Sequence, residues 1–349
     1  MPLIGTAGLE PETFLDRMLE DFRVPGNALV VTHDNPDPDS LASAYGLKQL
    51  FEHHLGRHTD IGFGGIIGRA ENRALVDFCQ IPVHPLDGLD FADYSTVMLV
   101  DSQPQTGNNS LPDTVQLDLV VDHHPLREQT PLRSRWVDVR SDFGASATIV
   151  AKYLKCKAVP IPPLLATAFF YAIKSETQDL GVEANDSDRE IYFDLFPHVN
   201  PEVLFQITHP RVSPEYFRIV SDVTRKTKIY DNAAFTYIGR ISSPDFVAEM
   251  ADLVMRLEGI EWTLCVGAYN GDLTLSLRTS RAGGGAGRLI QDIVRGLGKA
   301  GGHGMMAGGK IEEAPTARTA RLKLVDSIRD RYLSVLGIQD AIARDIFED

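Results

Sequence analysis

The sequence predicts an α/β protein of two domains: an N-terminal parallel sheet, then a smaller C-terminal α/β domain. Three observations predict it. Short continuous apolar runs alternate with helix-like stretches through the first half, as in parallel strands covered by helices on both faces. Each of those runs ends directly in acidic or imidazole side chains. An Asn270-Gly271 dipeptide joins two alternating apolar runs in the last third, the signature of a tight hairpin. At 349 residues the chain exceeds one ordinary core.

In chain order, residues 28–32 (ALVVT) read as the first buried strand and 39–55 as the helix after it. Residues 96–100 (TVMLV) and 117–121 (LDLVV) are two further strands, followed by helices over 145–154 and 164–175. From 187 to 230 the chain reads as helices interrupted by Pro197, Pro201, Pro210 and Pro214. The expected division is therefore a catalytic domain over 1–186, a helical connector over 187–232 and a second domain over 233–349. In the last, 234–241 reads as a strand, 245–257 as a helix, and 263–269 with 273–278 as the hairpin. A Gly-rich turn, a helix over 286–297, a second Gly-rich turn and a final helix over 317–336 complete it.

Composition excludes several classes. With 43% hydrophobic and 23% charged residues the chain is that of a globular protein. Its most apolar stretch, 164–173, is about half the length that spans a bilayer. The N-terminus has neither the basic start nor the apolar run of a signal peptide, so no membrane partner is expected and the cytoplasm is the default compartment. Cys79, Cys156 and Cys265 form no paired motif and imply neither a disulfide framework nor a thiolate metal site. A net charge of −14, from 34 basic and 48 acidic residues, opposes binding along a duplex phosphate backbone. A small anionic substrate remains compatible if the site supplies its own positive charge, as bound cations do.

The chemistry-bearing residues gather at strand ends, where ligands bind in open parallel sheets. The run His33-Asp34-Asn35-Pro36-Asp37-Pro38-Asp39 follows the first strand, and a polar turn would explain it equally well by itself. Asp101, however, follows the second strand, Asp122-His123-His124 the third, and Asp179 the apolar helix ending near Ser175. Folding alone would have to desolvate all these charges together at a high cost. Divalent cations remove it, and oxygen-rich ligation with a few imidazoles suits Mn²⁺ or Mg²⁺. An EF-hand is excluded, since Ser40 and Gly46 stand where that loop needs Gly and Glu.

The succession H-D-N-P-D-P-D, V-D-S, V-D-H-H-P and E-T-Q-D resembles motifs one to four of the DHH phosphoesterase superfamily. The run Ser276-Leu277-Arg278-Thr279-Ser280, with Gly301-Gly302-His303, resembles its DHHA1 substrate-binding domain. The resemblance spans roughly residues 27–310 and implies an active site in the cleft between the two domains. It implies two divalent metal ions, Mn²⁺ or Mg²⁺, one held by His33, Asp37 and Asp101 and the other by Asp39, Asp101, His123 and Asp179. It further implies that Asp122 orients His123 and that His124 faces the phosphate or leaving group. Arg278, Ser280, Gly301, Gly302 and His303 would contact substrate. Pro38 replaces a glycine common in the first motif, and Ala300 stands where many members extend the glycine run; neither change removes a ligand.

The length and lack of further domains resemble stand-alone nanoRNases and 3′-phosphoadenosine 5′-phosphate (pAp) phosphatases. A short nucleotide or oligonucleotide substrate is the implied partner, and a homodimer is expected from the resemblance. Alternatives are a phosphodiesterase of linear or cyclic dinucleotides and a catalytically silent nucleotide-binding module. His53, His54, His58, His84, His198 and His209 lie near a helix end or in proline-flanked loops and are assigned no role. Gly283-Gly284-Gly285 precedes a helix and reads about equally as an anion-binding turn or a flexible one.

Overall fold

A computed structural model describes residues 4–5, 11–126, 134–182, 184–281, 283–339 and 341–347. The chain divides into two units, residues 1–210 and 211–349. The helices of the segment expected to be a connector are shared between them: those over 186–208 belong to the first unit, and that over 214–226 to the second.

The first unit runs β1 (Ile4–Gly5), α1 (Pro11–Asp21), β2 (Asn27–Val31), α2 (Pro38–Leu55), β3 (Thr59–Phe63), α3 (Ala70–Cys79) and β4 (Val83–Pro85). It continues with β5 (Tyr94–Val100), β6 (Leu117–Asp122), β7 (Ser134–Val139), α4 (Ser146–Cys156), α5 (Pro163–Glu176), α6 (Asp186–Leu195) and α7 (Pro201–Thr208). Its strands form one sheet in the order β1-β7-β6-β5-β2-β3-β4, with every pairing parallel. The predicted strands at β2, β5 and β6 are its centre.

Alternate residues of these central strands enter different cores, as the two-residue period of a strand requires. Ala28, Val30, Met98, Val100, Leu119 and Val121 join the large core built with α1 to α7. Leu29, Val31, Val97, Leu99 and Val120 join a smaller one. Among the described residues, that second face is covered by 3₁₀ turns at Leu86–Gly88 and Phe91–Asp93 and by Leu111 and Val115 rather than by α-helices. On the helical face α2 lies close to α4 and α5, because Gly46 leaves room: a Cβ there would stand 2.3 Å from Phe169 Cζ and 2.7 Å from Val150 Cγ1. Arg57 ties the other end of the sheet, donating to the carbonyls of Phe22, Gly26 and Asn27 and to Ser95 and Thr96.

The second unit runs α8 (Pro214–Lys226), β8 (Lys228–Tyr230), β9 (Ala233–Arg240), α9 (Asp245–Val254), β10 (Trp262–Tyr269), β11 (Asp272–Thr279) and α10 (Ala286–Val294). It ends with β12 (Lys299–His303), β13 (Met306–Ile311), α11 (Arg318–Val335) and β14 (Arg344–Asp345). Its mixed sheet has the order β12-β13-β11-β10-β9-β8-β14, with α10 and α11 on one face and α8 and α9 on the other. Asn270 and Gly271 join β10 to β11 with φ of 47° and 90°, the doubly positive pair of a type I′ turn. The second Gly-rich stretch, read from sequence as a turn, is instead the β12–β13 hairpin. Gly287 of α10 lets that helix approach the hairpin: a Cβ there would stand 2.0 Å from the Gly302 carbonyl oxygen.

Candidate metal centre

Four segments of the first unit bring carboxylates and imidazoles together beyond the carboxyl ends of β2, β5 and β6. The first is the turn from β2 into α2. Asp37 caps α2, accepting from Ser40 N at 3.0 Å while Ser40 Oγ accepts from Asp37 N at 3.1 Å, a reciprocal capping box. Pro38 occupies the first turn of the helix, where a fixed φ and a missing N–H favour helix initiation. This explains locally why proline is accommodated at the motif's variable position. Asp39 is 1% exposed, and its two oxygens accept from Ser146 N and Ala147 N, each at 2.8 Å. It thus caps α4, whose own N-cap residue Ala145 supplies no side-chain bond.

Asp101 follows β5 in the left-handed region, with φ 58°. For a non-glycine residue this conformation costs free energy and concentrates at functional positions. Its amide is fixed by the Val121 carbonyl at 2.9 Å, and Ser146 Oγ donates to its Oδ1 at 3.0 Å. Its two oxygens face different imidazoles. Oδ2 is 3.6 Å from His33 Nε2, whereas Oδ1 is 3.5 Å from His123 Nε2 and 3.7 Å from His124 Nδ1.

Hydrogen bonds on the far nitrogens fix how His33 and His123 present themselves. His33 Nδ1 bonds the Asp34 carbonyl at 2.9 Å and His123 Nδ1 the Phe143 carbonyl at 3.2 Å. A carbonyl only accepts, so each Nδ1 carries a proton and each Nε2 is turned toward the carboxylates. His33 Nε2 meets Asp37 Oδ1 at 3.5 Å as well as Asp101. His123 Nε2 faces Asp101 at 3.5 Å, Asp39 at 3.8 Å and Glu176 at 3.9 Å. It is buried and, among the described residues, has no hydrogen-bond partner. Acceptor facing acceptor is unfavourable unless a proton or a cation lies between. Donors that share a cation at about 2.0–2.2 Å stand roughly 3–4 Å apart, the separations found around His123. The residues present therefore fit a divalent cation.

The electrostatics agree. Burial raises the Glu176 carboxyl to about 8, reinforced by Asp37 and Asp101 and opposed by His124 and His33. Burial, then Asp101, Glu176 and Asp37, hold Asp39 well above the usual carboxylate range. Burial alone would lower His33, yet Asp37 and Asp101 raise it well above an ordinary imidazole. Without cations these acids compensate by holding protons.

Two expected roles are corrected. Asp179 does not join the cluster. It lies in the turn after α5 with φ 59°, its side chain is 67% exposed, and it pairs with Lys174. Glu176, the last residue of α5, takes the place instead. It lies three and four residues beyond the fully buried Ile173 and Ala172, so it continues the helix's inward face. That spacing was the signal available in the sequence. Asp122 orients His124 rather than His123: its Oδ1 accepts from His124 Nδ1 at 2.9 Å and from His124 N at 3.1 Å. Despite burial, the bonds from His124 and Gln103 hold Asp122 below the usual carboxylate range. Burial lowers His124, but Asp122 and Asp101 raise it to about 9. Ser146 and Gln103 were not anticipated.

In the second unit Arg278 is buried. It pairs with Asp252 and donates to Ser276 Oγ at 2.8 Å. Gly301 and Gly302 pair with Gly308 and Ala307 in the β12–β13 hairpin, and exposed Ser280 bonds the Glu261 carbonyl through its amide. The His303 side chain lies outside the described residues. Among the described residues no helix is long and apolar enough to cross a membrane.

Residues 27–173 match the DHH family, N-terminal domain. An uncharacterized protein of Methanocaldococcus jannaschii is 31% identical over 333 residues, covering 93% of this chain and 67% of its own length. The fold is similar to that of an exopolyphosphatase-related protein from Bacteroides fragilis, with a TM-score of 0.73 at 14% identity, over 93% of this chain and 97% of that one. Exonuclease RecJ bound to manganese overlaps with a TM-score of 0.43 at 14% identity, over 97% of this chain and 96% of RecJ.

Proposed function

The chain belongs to the DHH family of phosphate-ester hydrolases, and from that premise we propose that it uses a pair of divalent cations, Mn²⁺ by preference, to hydrolyse short oligonucleotides or pAp. The observation that carries the two-cation reading is the Asp101 carboxylate, whose separate oxygens face His33 on one side and His123 with His124 on the other.

In this reading His33, Asp37 and Asp101 would hold one cation, and Asp39, Asp101, His123 and Glu176 the other. Bound cations would supply a water activated near neutral pH and neutralise phosphoryl charge. The chain's own residues do the rest. The carbonyls of Asp34 and Phe143 lock the imidazole tautomers, and the N-terminus of α4 pins Asp39. His124, held by Asp122 and partly exposed, would meet the phosphate or the leaving oxygen. In the second unit Arg278, Ser280, Gly301, Gly302 and His303 would contact substrate, as the family resemblance implies. A chain of net charge −14 supports short substrates over long duplexes.

Incubation with Mn²⁺ and a panel of dinucleotide, short RNA, cyclic dinucleotide, pAp and pyrophosphate, with products resolved, tests the reading. Cleavage of dinucleotide or pAp, abolished by chelator, is expected. Hydrolysis of pyrophosphate alone would reject it.

A further inference from the structure

Gln103 lies two residues beyond Asp101 and is 3% exposed. Its Nε2 is surrounded by acceptors: Asp122 Oδ2 at 2.7 Å, the His124 carbonyl at 3.2 Å and the Pro125 carbonyl at 3.4 Å. Only the amide nitrogen satisfies three such neighbours, which fixes the orientation of the side chain. Asp122 passes the constraint on, since its other oxygen holds His124 Nδ1 at 2.9 Å. Gln103 is itself anchored through its backbone carbonyl, which accepts from Thr106 Oγ1 at 2.7 Å and Asn109 Nδ2 at 3.0 Å. The same loop is clamped to the His33 segment: Ser110 donates to Asp34 from its amide at 2.9 Å and from its hydroxyl at 2.7 Å. Gly64 permits the clamp, because a Cβ there would stand 1.9 Å from Asp34 Oδ1.

We infer that Gln103 is a positioning residue: through Asp122 it sets the direction of the His124 ring toward the substrate, and the loop 102–110 is the strut that references this ring to the His33 and Asp101 segments. The inference rests on the phosphoesterase reading for its kinetic consequence, but not for its structural one. Among the described residues the Gln103 side chain hydrogen-bonds none of the proposed cation ligands, so its removal separates substrate alignment from cation binding. Alignment lost through a supporting hydrogen bond typically costs about 10- to 100-fold in activity.

The test uses Gln103→Leu and the shape-conserving Gln103→Met in the full chain. Imidazole ¹⁵N–¹H spectra of Mg²⁺-loaded protein report the His124 Nδ1–H bond directly. The expected result is a displaced or exchange-broadened Nδ1–H signal in both variants, with Mn²⁺ affinity within about threefold of the parent. In turnover, kcat falls about 10- to 100-fold with KM little changed, and Gln103→Leu adds almost nothing in a His124→Ala background. An unaltered His124 signal overturns the inference. So does a kinetic cost that multiplies undiminished onto His124→Ala, or a parallel loss of Mn²⁺ affinity. If the parent protein turns over no phosphate ester, the functional reading fails and the spectra still decide this one.

Discussion

Replacing Glu176 by Gln should make the cation-free protein more stable and the cation-loaded protein less so. Burial and the neighbouring carboxylates raise Glu176 from 4.5 to about 8. At about 1.4 kcal/mol per pH unit that displacement is on the order of 4–5 kcal/mol of charge penalty. Its side chain is 22% exposed, and solvent screening reduces the recoverable part to about 2–4 kcal/mol. In chelator at pH 8, Glu176→Gln should therefore gain stability of that order. With Mn²⁺ the same change removes a proposed negative ligand, and losing one partner of a buried charged contact costs about 2 kcal/mol or more, some 30-fold in affinity. Asp179→Asn is the control. Its exposed pair with Lys174 is worth about 0–1 kcal/mol, so both stability and Mn²⁺ response should be unchanged. Urea unfolding with and without Mn²⁺, together with calorimetric Mn²⁺ titration, reads all four quantities. General damage cannot produce a variant that is both more stable without metal and less responsive to it. A Glu176→Gln protein destabilised in chelator with its Mn²⁺ affinity intact, or an Asp179→Asn protein that has lost Mn²⁺ binding, would refute the reasoning.

Three further predictions follow from the same geometry. Glu176 is raised to about 8 and His124 to about 9, so the folded, cation-free protein holds protons that the unfolded chain has released. Stability from these groups is full below their unfolded values, near 4.5 and 6.5, and is lost as pH rises through 8 and 9. Unfolding in chelator should show this fall from pH 5 to pH 9, and Mn²⁺ should flatten it; stability rising across that interval in chelator contradicts the assigned shifts. Asp101→Ala should weaken Mn²⁺ binding by at least about 100-fold and abolish turnover, with native circular dichroism retained; an active, metal-loaded variant counts against the centre. Gly46→Ala should destabilise by about 1–3 kcal/mol despite alanine's higher helix propensity, because the added Cβ would stand 2.3 Å from Phe169 Cζ; a stabilised variant would contradict the close packing of α2 on α5.

Most of the candidate site was legible because its residues stand just beyond strand ends. Residues 28–32, 96–100 and 117–121 carry continuous apolar runs, and the polar residue that ends such a run emerges at the sheet's carboxyl edge. His33, Asp37, Asp39, Asp101, His123 and His124 were found that way, and their side chains converge. Asp179 was chosen because it follows an apolar helix, but α5 runs through Glu176 and the chain then turns outward through left-handed residues at 178–180. Helical phase, not distance along the chain, decides which acid faces inward. Gln103 and the roles of Asp34 and Ser110 depend on contacts between segments distant in sequence, which periodicity does not encode. The β12–β13 hairpin escaped for another reason. Its glycines lack strand propensity, and the pairing of residues 299–303 with 306–310 that makes them strands is a tertiary contact.

The most direct test of the account is a crystal of the protein grown with Mn²⁺ and measured at the manganese edge. Two anomalous peaks should flank the Asp101 carboxylate, one beside His33 and Asp37, the other beside Asp39, His123 and Glu176. No peak among these side chains at saturating Mn²⁺, or occupancy only at acidic groups elsewhere on the surface, would contradict it.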